Sequence, residues 1–188
     1  MGVIDRFGRL LDGIDRAFAA VSGACMFAIM LVVVADVALR YLFNRPLAWS
    51  YDLISLYLMV GMFFFGVSDT LRNHGHVAID LMQKRMSPAG RHAGESVGYA
   101  LTTIVAAVIT AQAFGRLTES WAAEEVMAGA YDWPTWLAMA PVVAGAAMLT
   151  VRAAFRAIGH ALSVLTPKPL IELPPLSDTA LTATEEGV

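Results

Sequence analysis

AFAAVSGACMFAIMLVVVADVALRYLF, residues 17–43, holds one acid and one base in 27 positions, Asp36 and Arg40. A helix needs about 20 predominantly apolar residues to cross the hydrocarbon core of a bilayer, and this run exceeds that. It is too long for the apolar region of a secretory leader and has no convincing small-residue cleavage site, so it is expected to stay in the chain as a membrane span. Three more apolar blocks follow at about residues 53–71, 97–117 and 136–155, the last with Pro134 just ahead of it and Arg152 near its end. Strands of a membrane barrel would alternate over segments of ~10 residues, and these blocks do not. Composition agrees: 57% of the 188 residues are hydrophobic and 15% charged, against about a quarter charged in an average soluble domain. The expected fold is an all-α integral membrane protein with four transmembrane helices.

Orientation follows from the basic residues. With the N-terminus in the cytoplasm, ten of the thirteen Lys and Arg residues lie inside and only Arg40, Arg45 and Arg116 lie outside. Cytoplasmic segments favour Lys and Arg, so both termini are expected inside. Glu119, Glu124, Glu125 and Asp132 gather on the outer side, beside a belt of Trp121, Tyr131, Trp133 and Trp136. Residues 1–16 carry an apolar stripe at Val3, Ile4, Phe7, Leu10, Leu11 and Ile14, with Arg6, Arg9, Asp12, Asp15 and Arg16 off it. Two readings stay open for this amphipathic helix: a helix lying on the inner membrane surface, or a docking helix for another subunit. DGIDR at residues 12–16 resembles part of a phosphatidyltransferase signature, but the further aspartates that would hold its metal do not follow. The membrane domain is expected to fill residues 1–162. Residues 163–188 hold four of the eight prolines and end acidic; they are expected to be disordered.

The spans carry little chemistry. Cys25 stands alone, which excludes an internal disulfide. His74, His76 and Asp80 in the inner loop allow a metal-site reading, beside the plainer one of a solvated polar loop. Small residues recur at Thr103, Ala107, Ala111 and Gly115, at Ala140 and Ala144, and at Gly61 and Gly66; they describe close helix packing. No Ser–His or paired-carboxylate arrangement is present, so no enzyme activity and no cofactor are expected. Asp36 and Arg40 share a helical face four residues apart. They read as a structural ion pair fastening this helix to a neighbour, or as an intramembrane functional site. On the first reading, Arg40→Ala costs on the order of a few kcal/mol by stranding Asp36.

The connection after the first span, RYLFNRPLAWSYDL at residues 40–53, is dense in polar and aromatic groups. Asn44 suits a helix end and Pro46 prevents continuation. Trp49 and Tyr51 suit the headgroup level, and Asp52 suits the first turn of the next helix. The run Arg40-Tyr41-Leu42-Phe43-Asn44-Arg45-Pro46-Leu47-Ala48-Trp49, then an acid, then Phe65-Gly66, Arg72 and His76-Val77-Ala78-Ile79-Asp80, resembles the small membrane subunit (DctQ type) of TRAP, tripartite ATP-independent periplasmic, transporters. The likeness covers the four-span layout and about 160 residues. Ser50-Tyr51-Asp52 departs from it, with one shorter acid where the family often has glutamates. The resemblance implies a non-enzymatic scaffold in the bacterial inner membrane. Its partners would be a large multi-span permease subunit, which holds the substrate and sodium sites, and a periplasmic substrate-binding protein that delivers an organic acid. It marks Tyr41, Asn44, Pro46, Trp49, Asp52, Gly66, Arg72, His76 and Asp80, with Asp36 and Arg40, as interface or structural positions. Rival classes are a small membrane metal protein or enzyme using His74, His76 and Asp80, and a small homo-oligomeric exporter, which would call for a deeply buried acid.

Overall fold

The first helix, α1, runs unbroken from Val3 to Phe43, 41 residues. At 1.5 Å per residue that is roughly 60 Å, about twice the hydrocarbon core of a bilayer. The computed structural model describes residues 3–72, 86–129, 131–166 and 173; the inner-loop positions His74, His76 and Asp80 lie outside them. Three further helices follow: α2 at Ser50–Arg72, α3 at Pro88–Ala122 and α4 at Thr135–Leu165. All four are long and apolar enough to cross a membrane, as the apolar blocks require.

Local chemistry sets the ends. Asn44 takes a left-handed φ of 52° after α1, a conformation its short polar side chain tolerates. The Arg45 N–H reaches back to the Leu39 carbonyl at 3.2 Å, and Pro46 cannot continue the helix. Ser87 caps α3: its backbone is extended, its Oγ accepts the Gly90 N–H at 3.2 Å, and Pro88 occupies the first turn. Two features were not expected from sequence. Residues Ile54–Leu58 within α2 form a π-helical turn. The connection from α3 to α4 holds a two-stranded antiparallel hairpin, β1 (Val126–Met127) with β2 (Trp133–Pro134).

The helices pack in the order α1, α2, α4, α3; α4 contacts both α2 and α3, which barely touch each other. Glycine permits the closest approaches. A Cβ at Gly145 of α4 would run into the backbone carbonyl of Phe64 in α2. One at Gly66 of α2 would lie 3.1 Å from Ser22 Oγ of α1, the hydroxyl that donates to the Met62 carbonyl at 2.6 Å. Among the described glycines Gly145 makes the closest approach; it lies next to Ala144 of the small-residue pattern but was not itself part of it.

The N-terminal stripe runs into α1 without a break. It forms the first turns of α1, and part of it packs against the bundle: Leu11 is 2% exposed and the Phe7 ring lies 5.6 Å from that of Phe155 in α4. Phe7, Leu10 and Ile14 of the stripe stay 43, 60 and 37% exposed, so most of its described apolar face is left uncovered by this chain.

Candidate functional site

Polar side chains concentrate at the two ends of the bundle. The end at residues 40–53 is built locally. Asp36 Oδ2 accepts from the Arg40 guanidinium at 2.7 Å, and its Oδ1 accepts the Leu47 N–H at 2.7 Å. Both bonds of Asp36 stay within α1 and the connection that follows it, which the carboxylate holds down. The reason is the chain reversal: it leaves the Leu47 N–H without a helical acceptor, and a buried carboxylate fills that need. Ser50 then returns both its N–H and its Oγ to the Leu47 carbonyl, at 3.2 and 2.8 Å.

The other residues marked on this side are spread out. Tyr41 is 83% exposed; Asn44 and Pro46 are exposed and Trp49 is half-buried. Asp52 lies in the first turn of α2, and its carboxylate is close enough to Gly129 that a Cβ there would meet Oδ2 at 2.6 Å. The π turn brings Tyr57 to the hairpin, where its hydroxyl donates to the Pro134 carbonyl at 2.9 Å and its ring lies 5.3 Å from Trp133. Trp121 and Trp136 meet edge to face at 4.6 Å. Arg116 donates to Glu125 at 2.8 Å, and this bond, with one from Ser120, holds the Glu125 carboxyl below the ordinary carboxylate range.

The opposite end is built from all four helices. Arg152 of α4 is 5% exposed and donates to Asp12 Oδ1 of α1 at 2.6 Å. Its Nε lies 3.4 Å from Oδ2 of Asp15, an ion-pair distance. Asp15 is fully buried, and its Oδ1 accepts from Ser68 of α2 at 2.7 Å. Arg72 pairs with Asp69 at 3.1 Å and donates to the Asp12 carbonyl at 3.3 Å. Arg156 donates to the Arg72 carbonyl and to the Tyr99 hydroxyl, both at 2.8 Å. Tyr99 stacks on His160, ring centroids 5.6 Å apart. The Nδ1 atoms of His160 and His92 lie 3.0 Å apart, so one imidazole donates to the other. Both histidines are buried.

Of the positions marked from sequence, Asp36 and Arg40 come together, and Arg72 belongs to the opposite cluster. Gly66 lies between the two ends, against α1. Most of the Arg152 cluster was missed, although a signal for it exists: Arg152, Arg156 and His160 recur every four residues on one face of the last span. Among the described residues, no three His, Cys, Asp or Glu side chains converge as a metal site. Charged residues are absent from residues 17–35, 53–68, 96–115 and 133–151.

The model of one protein family, tripartite ATP-independent periplasmic transporters, DctQ component, matches residues 29–163. No curated protein and no solved structure gives a match. The matched stretch is more than half of the chain and takes in the residue 40–53 corner and the α2, α3 and α4 members of the Arg152 cluster. The chain belongs to the DctQ family, the small membrane subunits of TRAP transporters.

Proposed function

We propose that this subunit is a scaffold that does not carry solute itself. The observation that supports this is the placement of charge: it is confined to the two ends, and the interior is closed by packing such as Gly145 against Phe64. On this reading a large multi-span permease subunit holds the substrate and sodium sites. A periplasmic substrate-binding protein delivers an organic acid, and this chain widens and steadies the assembly in the bacterial inner membrane. Both termini face the cytoplasm, which places the Arg152 cluster inside and the Asp36 corner outside, in line with ten of thirteen basic residues. Asp36, Arg40, Asn44 and Trp49 set the shape of that corner for contact with the partner.

The test is reconstitution in liposomes with a sodium gradient and the cognate binding protein. Uptake is expected only when the large subunit and this chain are both present. Robust uptake by this chain alone refutes the scaffold reading. Topology is checked by a periplasm-dependent phosphatase fused near Arg45, expected active, and after Ser163, expected inactive.

A further inference from the structure

We propose that the groove between α2 and α3 binds the acyl chain of one phospholipid. The groove has a volume of about 470 Å³; Phe63 and Val67 of α2 face Leu101, Val105 and Ile109 of α3, with Ala146 of α4 at its floor. It exists because α2 and α3 both pack on α4 and scarcely on each other. Its lining is nearly all carbon. The one hydroxyl, on Thr102, is already donated to the Gly98 carbonyl at 3.0 Å. The groove is open along one side, where Phe63, Leu101 and Val105 are 62, 59 and 60% exposed, so whatever fills it comes from outside the chain.

Size and length select the occupant. A volume of about 470 Å³ is far more than a single water needs, and the groove is elongated along the helices, which suits an alkyl chain. From Leu101 to Ile109 the α3 wall is about 12 Å long at 1.5 Å per residue, close to one leaflet's half of a ~30 Å core. A partner's transmembrane helix would need a track through the whole core, and such tracks favour small residues; these walls are bulky aliphatic and aromatic groups. On α2 and α4 the groove lies in the half nearer Arg72 and Arg152, which assigns the chain to the leaflet on that side.

The test uses the full chain reconstituted in vesicles of phosphatidylcholine and phosphatidylglycerol. The protein is then extracted in detergent and its retained phospholipid counted by native mass spectrometry. Val105→Trp fills the groove. Val108→Trp, at a position that is 56% exposed and outside the groove, is the control. The expected result is one phospholipid per chain for the wild type and Val108→Trp, and none for Val105→Trp. Absence of retained lipid in the wild type, or equal retention by both variants, overturns the proposal. A photo-crosslinking residue at Leu101 gives a reading that does not depend on whether Val105→Trp folds. Adducts to lipid are expected in membranes that contain the large subunit, and adducts to protein instead assign the groove to a partner helix.

Discussion

The two polar ends differ in how far their partners come along the chain. At the residue 40–53 end both hydrogen-bond partners of Asp36 lie within 11 residues of it. At the opposite end Arg152 reaches back 140 residues to Asp12, and Ser68 reaches back 53 to Asp15. Exposure differs as well: the Arg40 side chain is 59% exposed, that of Arg152 only 7%. A pair with one exposed partner and a buried pair obey different energetics. The first contributes little, because water competes for the Arg40 guanidinium. The second is costly to break, because removing one partner strands a charge that water cannot reach.

Arg152→Gln is the sharpest way to break the contrast. It leaves the fully buried Asp15 without its base, and the expected loss is about 3–5 kcal/mol. Thermal unfolding in detergent, or the yield of inserted monodisperse protein, measures it. Adding Asp15→Asn should recover part of the loss by removing the stranded charge. A loss no larger than that at the Asp36 corner would mean that the Arg152 cluster is hydrated too.

Asp36→Ala comes next. It removes the acceptor of the Leu47 N–H along with the ion pair, for about 1–2 kcal/mol. Asp36→Asn should lose less, since an amide oxygen can still take that N–H. Arg40→Ala follows with ~0.2–1 kcal/mol, shrinking further as salt is added. This replaces the loss of a few kcal/mol that follows if Asp36 depends on Arg40 alone. Equal losses for Asp36→Ala and Arg40→Ala would show that the Leu47 bond contributes nothing.

The smallest effect concerns pH. The folded state holds the Glu125 carboxyl below its ordinary value of 4.5, first through the Arg116 hydrogen bond. The contribution is therefore present above the unfolded value and is lost as pH falls through the folded one. The thermal advantage of the wild type over Glu125→Gln at about pH 7 should fade in the acid range below 4.5 and nowhere else. An advantage that survives there would assign it to packing.

Legibility in the sequence follows the same division. The four spans, the Asp36–Arg40 spacing and the Asn44 and Pro46 stop rest on patterns a few residues long, and all appear in the structure. Asp12 and Asp15 read as the wet face of an amphipathic helix, because their partner Arg152 is on the last span and sequence spacing says nothing about it. Arg152 and Arg156 read as basic residues at a membrane edge for the same reason. His92 and His160 lie near the ends of their apolar blocks, yet α3 and α4 pack closely enough there to bury both. The π turn and the hairpin were illegible because Tyr57 and Trp133, which meet there, are 76 positions apart.

The 140-residue reach of Arg152 has a consequence for biosynthesis. A ribosome releases Asp12 and Asp15 with the first helix and Arg152 only with the last. Until then the two carboxylates have no α4 partner and are best kept hydrated at the membrane surface. Closing so long a loop is not itself the obstacle, since the entropy of closure grows only logarithmically with length. What is missing is the guanidinium. It arrives only once α4 has emerged, and it reaches Asp12 only if its end of that helix lies on the same side of the bilayer. The buried pair is therefore a completion check: it forms in a chain whose four spans are all present and correctly inserted. A truncated or inverted chain is left with acidic groups on a helix face that cannot seat.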